Sequence, residues 1–398
     1  MPIMNTHGKK HNPPDQDLWI ALKILLGGML GMMVAMGIGR FVFTPVLPLM
    51  QRDLGMTHSV AGWLAGLNYL GYLAGAIVCS VYPRLIRNQF IAGSSLLLSL
   101  ATTIFMAGTV SVFWWGGMRF IAGFVSAILF IVIVAEVNEA LARQGCSHWM
   151  GTLYGGIGLG IVLSGLLVPQ FDKLGGWGSA WIGMGIVASF LALAGILLGR
   201  KKEFIPPVTV HETNAKSAIE KLWFLALAYF LEGFGYIVSA TFIVAIIAVT
   251  PGLESFAPYS WVAVGVAAAL STVFWPSVAR RTSYKKALVW AYFIQAAGIA
   301  VSIYADTVVE VFFAAIAFGG SFLGIVALTL AEGTRRTEGK GKAAAILTAC
   351  FGTGQVLGPI VAGVLADSKA GFTVPLFIAA TSVGLGAICT IFDIEFKK

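Results

Sequence analysis

Along this chain long apolar runs alternate with short polar interruptions. Twelve runs stand out. Six lie at about 22–50, 59–82, 89–110, 112–138, 149–170 and 176–199, and six at about 222–249, 260–279, 286–305, 308–331, 343–365 and 372–392. A helix crossing a bilayer needs roughly 20 apolar residues, and each run comes close to or exceeds that length. The longest polar stretch, Arg200 to Lys221, carries charges of both signs, the pair Pro206-Pro207 and no apolar run. Such a segment reads as a linker. The pattern predicts an all-α membrane protein with twelve transmembrane helices in two pseudo-symmetric six-helix bundles. Its parts are a polar N-terminal tail at 1–17, a first bundle at 18–199, the linker at 200–221, and a second bundle with a short tail at 222–398.

Composition sharpens this picture by exclusion. Of the 398 residues, 58% are hydrophobic and 11% charged, against about 45–50% and about 25% in soluble domains. A soluble enzyme, a disordered chain and a large extramembrane domain are all excluded. The apolar run after the polar tail is far longer than the roughly 7–15 residues of a signal-peptide core, so an uncleaved first helix is expected. The cysteines Cys79, Cys146, Cys350 and Cys389 form no CxxC pair, and neither a disulfide framework nor a metal site is expected.

Charge placement predicts orientation. The net charge is +8, from 26 Lys+Arg and 18 Asp+Glu. With the N-terminus inside, 21 basic residues fall in inner segments. Only Arg52, Lys173 and Lys369 fall in outer loops, while Arg40 and Arg119 lie within spans. This bias follows the positive-inside rule. It places both termini in the cytoplasm. The basic excess is then loop charge, and no nucleic-acid partner is expected.

One offset, 196 residues, relates the two halves. Gly37-Ile-Gly39 lands on Gly233-Phe-Gly235, Arg84 on Arg280, Gly123 on Gly319, Ala135-Glu136 on Ala331-Glu332, and Gly156 and Gly158 on Gly352 and Gly354. Six spans per repeat make the repeats parallel, related by an axis along the membrane normal, with a central path between them.

Three ionisable residues fall deep within spans: Arg40, Arg119 and Glu232. A charged side chain facing lipid costs about 2.5–3.5 kcal/mol or more, so these must face a cavity or partners. The first span also holds Pro45 and Pro48 after Gly37 and Gly39, which predicts irregular backbone near Arg40. Helical spacing groups further polar residues: Arg40 with Thr44, Asn68 with Tyr72, Glu232 with Tyr236 and Ser239, and Thr348 with Gln355. Interhelical hydrogen bonding is the plain alternative for each stripe. The expected solute-binding set is Arg40, Thr44, Asn68, Tyr72, Tyr154, Tyr236, Ser239 and Gln355. Glu232 is the expected proton carrier, with Arg119 tuning it. An Arg40–Glu232 pair across the halves would be structural, or would break and reform during gating. Arg84, Glu136, Arg143, Arg280 and Glu332 sit at inner helix ends and are expected to latch that face through ion pairs. Solvated loop charges are the alternative.

Catalytic readings find little support. None of the five histidines is mid-span, and neither an HExxH pair nor a Walker-type glycine loop occurs. ATP is therefore not the expected energy source, no cofactor or metal is expected, and an ion gradient or exchange remains. A membrane enzyme and a non-transporting sensor are the other classes. The first lacks a convergent reactive set, and the second lacks a signalling surface on its short loops.

Several motifs carry a resemblance across the whole chain. Arg119-x3-Gly123-x3-Ala127, Glu136-x6-Arg143 and Gly354-x3-Gly358-Pro359-x3-Gly363 resemble motifs of the major facilitator superfamily. The loop motif after the second helix is poorly kept, with Cys79 where an aspartate would stand. The strings from Gly37 to Met50, Gly62 to Ala76 and Glu232 to Ile243 are similar to the YbfB/YjiJ-type family. The resemblance implies a secondary transporter of a bacterial inner membrane, working by alternating access. The residues point to a small organic anion as solute, with proton coupling, in a monomer embedded in lipid. The alternative is proton-driven efflux of hydrophobic or cationic compounds, with Phe41, Phe43, Tyr154 and Tyr236 as the binding surface.

Overall fold

The computed structural model describes residues 14–199, 215–337 and 343–393. The expected tail up to residue 13 and the expected linker over 200–214 lie outside the described residues. Every regular element among the described residues is helical. The helices are α1 (Pro14–Met32), α2 (Phe43–Leu54), α3 (His58–Val81), α4 (Gln89–Phe105), α5 (Val112–Arg143), α6 (Met150–Leu198), α7 (Ala215–Ala248), α8 (Ala257–Arg281), α9 (Tyr284–Ser302), α10 (Val308–Arg336), α11 (Ala343–Ala366) and α12 (Thr373–Phe392). Ten helical segments among the described residues are long and apolar enough to cross a membrane.

Two elements explain how this number relates to the sequence pattern. The segment Ser147–Leu198 counts once, yet α6 turns within it at Gly175 and Gly176. Gly176 has φ 70° and ψ −158°, a backbone conformation open to glycine and strained for other residues. The second arm starts under an acidic cap: the Asp53 carboxylate of α2 accepts the Trp177 N–H at 3.4 Å. Arg52 binds Asp172 of the first arm at 2.7 Å. The other element is α9, 19 residues long with Lys285 and Lys286 in its first turn, which is not among the ten.

Large apolar side chains point outward along much of the molecule. Phe90, Leu97, Phe113, Leu174, Phe190 and Leu270 are exposed. A water-soluble protein rarely presents a belt of this kind, and hydrocarbon is its natural solvent. Between helices the packing relies on small residues. A Cβ at Gly123 would overlap the Asn68 carbonyl, and one at Gly319 the Val264 carbonyl. Both members of these contacts are related by the 196-residue offset, so the α3–α5 and α8–α10 crossings repeat each other. The halves of the chain meet where α3 packs on α11 and where α6 packs on α8. Gly62 lies against Pro359 in the first contact, and Gly158 against Gly265 in the second. The Trp261 indole N–H also donates to Ser164 Oγ at 3.1 Å.

Candidate functional site

The irregular backbone expected around Arg40 is present. After α1, residues Met33–Ile38 form a π-helical stretch. The Gly39 N–H reaches the Val34 carbonyl at 2.9 Å and the Phe41 N–H reaches Met36 at 3.2 Å, both spanning five residues. A π-turn sets one extra residue into the helix and often marks a functional position. Pro45 and Pro48 follow in α2 without amide donors of their own.

This backbone holds Arg40 in the interior, 3% exposed. Its guanidinium lies 4.0 Å from the Tyr72 ring centroid and 4.7 Å from that of Tyr69. Such contacts use the negative ring faces and leave hydrogen-bonding capacity free. One nitrogen faces the Met36 sulfur at 3.9 Å. The Tyr69 and Tyr72 hydroxyls lie near the guanidinium, but Nε and Nη2 form no well-directed hydrogen bond among the described residues. Arg119 is equally buried, lies over the Phe43 ring and donates to the Arg40 carbonyl at 3.3 Å. Its Nε is also unpartnered. Asn68 donates to the Arg119 carbonyl at 2.8 Å, and its own Oδ1 is left without a donor. Two guanidinium groups thus share a buried region, and no carboxylate forms an ion pair with either among the described residues.

The solute-binding set gathers in part. Tyr72 touches Arg40 directly, and Tyr154 follows through Phe130, with ring centroids 6.5 and 6.0 Å apart in sequence. On the facing half, Gln355 donates to the Tyr236 hydroxyl, leaving Gln355 Oε1 unpartnered. Phe41, next to Arg40, meets Trp261 and Phe322 of the second half at 6.4 and 6.3 Å. Thr44 instead donates to the Ala240 carbonyl, exactly one repeat away in number, and fastens the two central helices together. Thr44 and Asn68 therefore make the interhelical bonds that formed the plain alternative.

Two expectations need correction. Arg40 and Glu232 form no ion pair. Glu232 is completely buried and accepts from the Gln295 amide of α9 at 2.9 Å. Nor do Glu232, Tyr236 and Ser239 share one surface. At about 100° per residue, Tyr236 stands roughly 40° from Glu232 and Ser239 roughly 20° to the other side. That difference turns Tyr236 to Gln355 of α11, whereas Ser239 lines a cavity of about 20 Å³ with Ile243, Thr250, Ser302 and Leu376.

At the helix ends expected to form the inner latch, the ion pairs described run within elements or within one half. Arg143 pairs with Glu139 of its own helix. Glu332 is buried and pairs with Arg335 and Arg336 at 2.8 Å each, and Arg336 reaches Asp393 at 2.8 Å. Glu136 is exposed, as are Arg84 and Arg280, and Arg280 donates to Ser277.

A link between the halves lies at the opposite end, in a residue that sequence reasoning missed. Asp367, just past α11, accepts the backbone N–H groups of His58 and Ser59 at 2.9 and 3.0 Å. Thr57 caps Val60 at 3.2 Å. The first three free amides of α3 are thereby satisfied, two of them by the other half of the molecule. Partial burial pushes the Asp367 carboxyl up. The bonds from Ser59 and His58 outweigh it and hold the group below its usual range.

Comparison with known proteins decides what this architecture belongs to. Residues 32–391 match the family described as "Uncharacterised MFS-type transporter YbfB". The chain belongs to this family. That family is of the major facilitator transporter type, and the apolar helices make the chain a multi-pass membrane protein. Among curated relatives, the putative uncharacterized transporter YgaY of Escherichia coli K12 is 26% identical over 186 residues, covering 46% of this chain and 45% of that protein. A probable transporter of Streptomyces coelicolor is 21% identical over 154 residues, covering 39% and 36%. The matches thus span less than half the length of these curated relatives. Among solved structures, the nucleoside transporter NupG superposes with a TM-score of 0.71 at 14% identity, covering 94% of this chain and 100% of that one. A bacterial homolog of the human lysosomal transporter Spinster, inward-facing and unoccupied, gives 0.65 at 13% identity, covering 98% and 97%. At these identities the likeness carries the fold and not the solute.

Proposed function

We propose that this transporter moves a small organic anion by alternating access, with Arg40 as the group that takes the anionic end of the solute. The observation that carries this reading is the pair of unpartnered guanidinium nitrogens on a fully buried Arg40. A buried charged donor left without an acceptor costs about 1–3 kcal/mol or more, and an anionic ligand supplies the missing acceptor. Tyr72 and Tyr154 from one half, and Tyr236 and Gln355 from the other, complete the binding surface. Arg119 holds the Arg40 backbone and adds positive potential. Glu232 carries the coupling proton.

Topologically, we propose twelve crossings, counting the two arms of α6 separately and adding α9. The bundles span 18–199 and 222–398, joined by a cytoplasmic linker at 200–221. Both termini face the cytoplasm, the inner membrane of a bacterial cell holds the protein, and a monomer suffices. In this arrangement Asp367 closes the outer face. The charged residues Arg84, Glu136, Arg143, Arg280 and Glu332 border the inner face. A membrane-impermeant maleimide tests the orientation: in intact cells it should label a cysteine at Lys369 and spare one at Arg84.

Thermal shift of the purified protein against anionic, cationic and neutral metabolites tests the solute reading. A ligand that binds the folded state raises its stability. The expected result is stabilisation by a carboxylate, sulfonate or phosphate that Arg40→Ala loses. Stabilisation by lipophilic cations, unchanged in the variant, overturns the anion reading in favour of efflux.

A further inference from the structure

Four polar side chains of the second half meet no anion, cation or water-facing surface. Glu232 of α7, Tyr292 and Gln295 of α9, and Thr329 of α10 are all completely buried. One hydrogen bond is formed among them, from Gln295 Nε2 to Glu232 Oε1 at 2.9 Å. Two acceptor oxygens, Glu232 Oε2 and Gln295 Oε1, have no partner among the described residues, and the Tyr292 and Thr329 hydroxyls face each other without forming a well-directed hydrogen bond. Buried polar atoms are normally satisfied, and each exception calls for a physical cause.

The surplus has a particular composition. Gln295 spends its amide N–H on one carboxylate oxygen, while its carbonyl oxygen remains an acceptor without a donor. The second oxygen of Glu232 is also an acceptor without a donor. One proton on Glu232 Oε2 converts that atom into a donor, and the Gln295 carbonyl is the acceptor offered by the same side chain. A single proton therefore removes the charge and supplies a donor for the unpaired amide oxygen. A metal ion fits less well: among the described residues no group of three His, Cys, Asp or Glu side chains converges, and Glu232 is the one acid here.

We propose that Glu232, Gln295, Tyr292 and Thr329 form a proton site enclosed within the second bundle and separate from the Arg40 solute site, with Gln295 as the residue that positions and pairs the protonated carboxyl. This rests on the coupling role given to Glu232 above and changes how coupling works. Proton and solute do not compete for Arg40. They act on neighbouring faces of α7, which turns Glu232 to Gln295 of α9 and Tyr236, one turn on and roughly 40° round, to Gln355 of α11. The titratable groups around Glu232 are Tyr229 and Tyr236 on its own helix and Tyr292 on α9, with Cys389 of α12 beyond Tyr292. Gln355 of α11 and Thr329 of α10 are polar but do not titrate in this range. Thr329 stands one turn before Glu332 on α10, and Tyr292 lies two turns from Lys285 on α9. The hydroxyls therefore stand on the side of Glu232 nearer that charged end, and this is where the proton leaves.

Infrared titration of the purified full-length protein, reading the protonated-carboxyl C=O band and its shift in D2O, tests the proposal. The wild type should show a buried carboxyl band that titrates, and Glu232→Gln should lack it. Gln295→Leu should keep the band but move its midpoint by about one pH unit or more, a tenfold change in proton affinity. A second measurement needs no variant. At constant pH, replacing choline by sodium should leave the thermal midpoint of the wild type unchanged. Absence of a titrating band removed by Glu232→Gln overturns the proposal. So does stabilisation by sodium that Glu232→Gln abolishes, which would make the cluster a metal-cation site. Anion-induced stabilisation, measured on the same preparations with Arg40→Ala, fails or succeeds independently, so loss of the solute reading is told apart from loss of the proton site.

Discussion

Gly123 packs against the carbonyl of Asn68, and Gly319 packs against the carbonyl of Val264, each partner 196 residues on. At those crossings the two halves of the chain are built alike. Their buried charges are not. Apart from the Glu332–Arg336–Asp393 cluster at one end of the second half, the first half buries Arg40 and Arg119, the second buries Glu232, and 196 residues after Arg40 stands Tyr236. Backbone contacts that let helices approach closely allow little change, because any side chain would strike a carbonyl. Side chains facing the interior are free to diverge provided their charge is compensated. The comparison separates a repeated scaffold from an unrepeated chemistry, and the two should fail differently when altered.

The largest effect is expected from breaking the scaffold. Gly123→Val drives methyl groups into the Asn68 backbone and also disturbs the Asn68–Arg119 bond. Overpacking of this kind costs about 1–3 kcal/mol or more, and Gly319→Val should cost a similar amount. A lowered melting temperature and loss of monodisperse protein are the measurements. Gly117→Val, where an added Cβ meets nothing, should be nearly neutral, and equal damage at all three positions would erase the distinction.

Next comes the chemistry of the first half. Arg40→Gln should leave the fold intact and weaken binding of the stabilising anion about tenfold to a hundredfold, as expected for losing charged hydrogen bonds worth about 1.5–3 kcal/mol. Titration by thermal shift or calorimetry checks this. Unchanged affinity would place the anion elsewhere.

The smallest effect should come from the contact joining the halves at one end. Asp367→Asn removes a negative charge from the start of α3, an interaction worth about 0.3–1 kcal/mol at an exposed position. Because Asp367 is held below its usual range, its contribution is fully present above the ordinary carboxylate range. It is lost as the pH falls through the lowered value. Wild type and Asp367→Asn should therefore differ in stability near neutral pH and converge on acidification. A difference that grows in acid would contradict the assigned sign.

The all-helical membrane fold was legible because apolar runs and loop charge leave strong signals. The irregular backbone at Arg40 was legible as well, from two glycines and two prolines within a dozen residues. The orientation of Ser239 and Glu232 was not, because three residues at helical spacing still fan over about 60°, enough to face different neighbours. Gln295 escaped notice as one amide in an apolar run, and its meaning depends on which helix lies opposite. Asp367 escaped for a similar reason: it is a loop residue whose partners are amides more than 300 positions away. Contacts within one helix can be read from spacing, whereas contacts between helices need their relative rotation.

The central claim is that a cation in one half takes the solute while an acid in the other carries the proton. Accumulation of the stabilising anion in proteoliposomes under an imposed pH gradient tests it most directly, comparing wild type with Glu232→Gln. The account predicts that the wild type accumulates the anion until a protonophore collapses the gradient, while Glu232→Gln exchanges it without accumulating it. Gradient-driven accumulation by Glu232→Gln at the wild-type level would contradict the account.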